Sequence, residues 1–317
     1  RVSDGLRAPS IANGGGSSGL VIDASAASLG DIDVAVGGRA GPGGSSGVVT
    51  VTNQADIATE GLFSTGIDAK SIAGSGGNAK GTITTSGLTM GSLNSSVGGN
   101  GGVGGAAGAV SVSSAGRVST GGDLAHGIVA MSTGGAGGEG GLSVEAGLSA
   151  GEVSGSVNVS VGGSGGAGGV GGAVTVNAQG TIATAGFGSY GLAAHSIGGN
   201  GGIAGSVYSG NAAASSTGSL QMTGTWGGIG ASGAVGGTVD VTNNASITTQ
   251  GFLAVALLAQ SIGGGGGAGG GVYTVAATAT PGSSLTFSAN HGGVGGNGND
   301  GGKVTVRNAG ALLTQSA

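Results

Sequence analysis

Short runs of alternating apolar and polar residues recur along this chain at nearly constant intervals. Val174-Thr175-Val176-Asn177 and Thr181-Ile182-Ala183-Thr184 alternate with period two and are rich in β-branched residues, the pattern of a strand with one buried face. The small residues between them suit a tight corner. A third run, Gly191 to Ile197, also alternates and sets Leu192, Ala194 and Ser196 on one side. No window offers a 3.6-residue apolar stripe free of glycine, and each interior Gly costs a helix about 1 kcal/mol relative to Ala. Strands joined by corners are expected, and helices are not.

These runs repeat. The apolar triplet occurs at Val49-Thr50-Val51, Val110-Ser111-Val112, Val174-Thr175-Val176, Val239-Asp240-Val241 and Val304-Thr305-Val306, with first valines 61, 64, 65 and 65 residues apart. Eight residues after each comes an aliphatic (Ile57, Val118, Ile182, Ile247, Leu312), and ten after each a threonine (Thr59, Thr120, Thr184, Thr249, Thr314). Twenty-two residues after the first four stands a serine (Ser71, Ser132, Ser196, Ser261). Only the segment from that serine to the next glycine tract varies, from 26 to 30 residues. That is where a loop would absorb insertions.

The pattern predicts an all-β fold, a β-solenoid resembling a parallel β-helix, with about five repeats of 61–65 residues anchored near positions 49, 110, 174, 239 and 304. Residues 1–317 read as one array. Neither end resembles the polar cap a solenoid needs, so both termini are expected to be cuts within a longer protein. The expected inward core comprises Val49, Val51, Ile57, Val110, Val112, Val118, Val174, Val176 and Ile182. It continues with Leu192, Ile197, Val239, Val241, Ile247, Ile262, Val304 and Val306.

Glycine tracts begin at Val36, Val97, Val161, Trp226 and His291, each 13 residues before the next valine triplet. Their Gly-Gly-x phasing suits an extended left-handed helix of three residues per turn, able to pack closely and bond sideways. It also suits a flexible surface loop. Glycine supplies 84 of 317 residues, yet the chain is not composed like a disordered one: 38% is hydrophobic, mean hydropathy is +0.32 and net charge is only -5. The apolar material is mostly Val, Ile, Leu and Ala, which fits a narrow core. There is no cysteine, so disulfides and thiolate chemistry are excluded. Eight Lys and Arg spread thinly speak against nucleic acid.

Candidate chemistry is thin. A phosphate loop needs Gly-x-x-x-x-Gly-Lys-Ser/Thr, whereas Gly76 to Lys80 reads Gly-Gly-Asn-Ala-Lys and is followed by Gly81. His126, His195 and His291 share neither a phase nor a ligand spacing. Asp31 and Asp33 would share a strand face, while Asp123, Glu139, Glu145 and Glu152 read as solvated surface charge. Solenoid enzymes that cleave glycans use clustered carboxylates, and none of these recurs in register. Gly298-Asn299-Asp300 is an isolated echo of a calcium repeat. The threonine and serine rows read as corner-bonding hydroxyls, Phe187 and Phe252 as corner packing, and Tyr208 and Tyr273 as contacts for glycans or a neighbouring chain. No catalytic residue, metal site or cofactor is expected.

Ala259-Gln260-Ser261-Ile262 followed by Gly263 to Gly267, with Ala194-His195-Ser196-Ile197 and Ala69-Lys70-Ser71-Ile72, resembles the repeat of large glycine-rich autotransporter passengers. The resemblance implies export through the outer membrane by a barrel outside this sequence and display on the bacterial cell surface, hence an extracellular location. It implies a non-catalytic structural or adhesive role in attachment, aggregation or biofilm formation. The partners would be a host or neighbouring-cell surface, glycans, or other copies of the chain, with no nucleic acid. Two alternatives stay open: a self-assembling extracellular fibre subunit, and a glycan-cleaving β-helix enzyme.

Overall fold

A computed structural model describes residues 4–26 and 29–315. Among the described residues there is no helix, and every paired strand runs parallel to its neighbour. Three sheets hold five strands each. The first carries the serines: Leu6–Ile11, Ile67–Ile72, Ile128–Thr133, Tyr190–Ile197 and Val255–Ile262. The second carries the valine triplets: Val49–Asn53, Val110–Ser114, Val174–Ala178, Val239–Asn243 and Val304–Asn308. The third carries the threonines, in Ile57–Thr59, Val118–Thr120, Thr181–Thr184, Ser246–Gln250 and Leu312–Gln315.

Strands pair across the sequence period, so like stacks on like. Val176 lies between Val112 and Val241, Ile182 between Val118 and Ile247, and Leu192 between Ile128 and Leu257. These side chains form one continuous apolar column in which Val49, Val51, Val110, Val112, Val118, Val174, Val176, Ile182, Leu192, Val239, Val241 and Ile247 are buried, with Ile57 packed against it. Four expected core residues lie elsewhere. Ile197 is half-buried and Ile262 exposed, because Ser196 and Ser261 take the inward positions of that strand and the residues after them point out. Val304 and Val306 are exposed: they lie in the last layer, whose open side no further described strand covers, whereas Val49 and Val51 at the other edge of the sheet stay buried.

The inward serines bind the glycine tracts. Ser196 Oγ donates to the carbonyl of Gly172 (2.8 Å) and accepts from the N–H of Gly237 (2.8 Å), one stacked layer onward. Ser71 and Ser132 do the same with Gly47 and Gly108, and with Gly108 and Gly172. Thr59 and Thr120 close corners by donating to the carbonyls of Ser64 (2.6 Å) and Ala125 (2.7 Å). The serine hydroxyls and those of Thr59 and Thr120 are therefore taken up by backbone, while Thr249 Oγ1 donates to Thr314 Oγ1 at 3.3 Å.

The tracts are ordered. Gly165 N bonds Ile229 O and Gly168 N bonds Ser232 O in the equivalent tract one layer on, while Gly166 N bonds Gly138 O and Gly169 N bonds Gly135 O in the tract that follows the serine strand. The third residue of each triplet points outward; Ala167 and Val170 are exposed, Ser164 and Ala106 half-buried. Pro42, which has no N–H to give, occupies this outward phase.

The segments of variable length are not loops. They form a second pair of stacked strand layers, an arm projecting beside the column. Val21–Ala24, Thr82–Thr89, the first half of Ser143–Val161, the first half of Val207–Trp226, and Val272–Ala279 run outward. Asp31–Val36, Gly91–Val97, the second halves of the two long strands, and Ser283–His291 run back. Length differences collect at the tip, where the register slips between Gly147 and Ser149 and between Gly151 and Val153. The period-two alternation of Val157-Asn158-Val159-Ser160-Val161 was a strand signal, and varying length does not preclude pairing when the change is confined to a bend.

Candidate interaction surface

The arm inverts the usual alternation. Its two layers face each other through polar side chains: Thr82 and Ser96 hydroxyls bond at 2.6 Å, and Asn94 Nδ2 donates to Ser86 (2.9 Å) and to Asn158 of the next layer (3.1 Å). Asn211 donates to Ser156 at 2.6 Å. Asp33, buried at the arm's first layer, accepts from Ser25 (2.8 Å). This network is incomplete. Thr84, Ser92, Asn94, Glu145, Asn158 and Gln221 each bury a polar atom without a hydrogen-bond partner. Each such atom costs about 1–3 kcal/mol.

Glu145 is sealed more deeply inside the arm than Asp33, 1% exposed, between Thr84 and Ser209 in the adjoining layers. Its position corrects the expectation of solvated charge. Burial pushes its carboxyl up to about 7, opposed by hydrogen bonds from Ser160 Oγ and the Val159 backbone. A carboxyl raised in the folded state favours folding while protonated. That contribution is complete below its ordinary value of 4.5 and is lost as pH rises through about 7. Urea unfolding should therefore show stability falling between pH 5 and 8, by up to about 3 kcal/mol at 1.36 kcal/mol per unit. Glu145→Gln should flatten the profile, and an unchanged slope in that variant would refute the assignment.

The arm's outer faces are apolar. On the returning strands the outward positions form registered rows: Leu93, Val157, Met222 and Phe287 in one, and Val97, Val161, Trp226 and His291 in another. Leu93, Met222, Trp226 and Phe287 are 41–62% exposed. On the outgoing strands Leu88, Leu148, Ala212 and Ala277 line a shallow groove of about 240 Å³. Tyr208 and Tyr273 stack on each other (5.0 Å, 11° between planes), as do Phe187 and Phe252 at an exposed corner (6.1 Å). Their faces are thus partly taken by one another.

Other candidate groups do not converge. Asp4, Asp56 and Asp123 each accept a backbone N–H of the adjoining layer, from Thr65, Arg117 and Phe187. Asp68 pairs with Lys70 (2.9 Å) and Arg7 (3.5 Å). His126 stacks on Tyr190 (5.0 Å) and accepts its N–H through Nδ1; burial, then the nearby Lys70 charge, holds its pKa below the usual value. His195 is also lowered by burial. Among the described residues no three His, Asp or Glu side chains are placed to hold a metal ion. No family model, no curated protein and no solved structure matches this chain.

Proposed function

We propose that this chain is a β-solenoid of about five 61–65-residue repeats whose glycine tracts pack as polyglycine II. In this reading it is a non-catalytic adhesive or scaffold passenger, displayed outside a bacterial cell as in the glycine-rich autotransporters it resembles. Pairing across the sequence period supports the architecture. One observation carries the functional reading: the apolar, uncharged rows on the outside of an arm whose inside is polar. A monomeric soluble protein rarely leaves a contiguous apolar face open unless it binds something, and rows of like residues give many weak contacts whose sum is strong.

The test is adhesion. Beads coated with the chain should hold to polystyrene and to an epithelial monolayer better than beads carrying Val157→Glu with Leu220→Glu, the latter an exposed outward residue two positions before Met222. Equal retention of the two would remove the arm from the proposal, and retention of neither would end it. New reducing ends in polysaccharides incubated with the chain would transfer the reading to glycan cleavage.

A further inference from the structure

We infer that the returning-strand face of the arm is the interface for a second copy of this chain, paired about a two-fold axis parallel to the stacking direction. The inference rests on reading the chain as a non-catalytic interaction scaffold. The geometry is a ridge beside a groove. The ridge is the row Leu93, Val157, Met222 and Phe287. Two residues further along each strand the side chains shrink to Ser95, Gly224 and Ala289, with Val34 and Val159 in the other two layers. A groove of about 180 Å³ opens there, lined by Val159, Gly224 and Ala289 and walled by Met222 and Phe287. The Trp226 indole leans over Gly224 from the other side, 2.9 Å from where a Cβ would sit.

A two-fold axis along the stack, placed between ridge and groove, sets each ridge into the partner's groove. Phe287 then meets Ala289, Leu93 meets Ser95, Met222 meets the Trp226 indole lying over Gly224, and valines fill the groove in the Val157–Val159 and Ile32–Val34 layers, always in the same layer. Three features select a second copy as the occupant. Layers in a sheet repeat at about 4.8 Å, a spacing that another copy matches along its whole length. The outward positions of this face hold no Asp, Glu, Lys or Arg, so it has no cation to hold a phosphate headgroup and no charge to repel itself. Strands of 6 to 9 residues in five layers span about 25 Å by 24 Å, roughly 600 Å² per copy. The total of about 1,200 Å² is the lower bound of stable interfaces, so a dimer with Kd on the order of micromolar is expected.

Two experiments decide it. By sedimentation the chain should shift from monomer to dimer across the micromolar range, and Met222→Glu with Phe287→Glu should stay monomeric with an unchanged circular dichroism spectrum. Because the chain lacks cysteine, crosslinking can read the register without changing the apolar ridge elsewhere. A mixture of Leu93→Cys and Ser95→Cys chains should be joined by a short bis-maleimide, and Leu93→Cys mixed with Ala289→Cys should not. A wild type that stays monomeric, or crosslinks from Leu93 to Ala289, would overturn the inference. So would flotation of monomers with neutral phosphatidylcholine vesicles, which would give the face to lipid. Beads that adhere while the free chain stays monomeric would leave the adhesive reading intact and remove this one.

Discussion

A chain carrying Gly165→Val and Gly166→Val should lose its cooperative thermal transition or melt at least about 15 °C lower, while Ala167→Val should melt within about 2 °C of wild type. The contrast follows from the three-residue phasing of the tract. A Cβ on Gly165 would run into the carbonyl of Gly202, and one on Gly166 into the carbonyl of Gly102. Both are backbone atoms committed to the tract lattice, where Gly202 O accepts from Ala231 N and Gly102 O from Gly138 N, so neither can step aside without breaking those bonds. Ala167 faces water and has room. Ordering glycine costs at the upper end of about 1–2 kcal/mol per residue, and dense lateral bonding between close backbones is what offsets it. Differential scanning calorimetry reads the difference. Equal melting of the two variants would mean that the tracts contribute nothing to stability.

Val176→Asp should destabilise the fold by about 3–5 kcal/mol at neutral pH. Val176 is 1% exposed, between Val112 and Val241, and the column around it offers no polar partner. The variant must either bury an unpaired carboxylate or take up a proton, and both are expensive. The loss should shrink as pH falls toward 4, because the neutral acid is cheaper to bury. Chemical denaturation at pH 4 and pH 7 measures it. A loss below 1 kcal/mol at both would show that the position is not sealed.

The column was legible because its valines and isoleucines keep a fixed phase, and stacking in register turns a sequence period into a spatial one. Ile197 and Ile262 misled because hydropathy ranks isoleucine above serine for burial. Here Ser196 earns the inward place by bonding two glycine backbones at once, a preference no single-residue scale contains. The arm misled for a related reason. Thr82-Ile83-Thr84 and Val157-Asn158-Val159 alternate visibly, but alternation gives the period and not the sign. Sequence alone could not say that the polar side was the closed one, since that depends on two layers meeting through serine, threonine and asparagine. Glu145 could be found only from the structure: its phase carries Asp23, Thr84 and Ser209 in other layers, a mixed polar position that reads as surface until two polar faces are seen to close on each other.

The hydrogen bonds of all four sheets run along the stacking direction, and this decides how the protein bears load. Tension applied through the chain ends meets each strand as the edge of a zipper and peels it bond by bond, instead of shearing many bonds at once. Yielding is then progressive. Releasing one 65-residue period pays out about 220 Å of chain at roughly 3.4 Å per residue, while the layers behind it stay folded. A tether of this kind lengthens in equal steps under a pull and holds on, where a single globular domain of the same size would give way in one event.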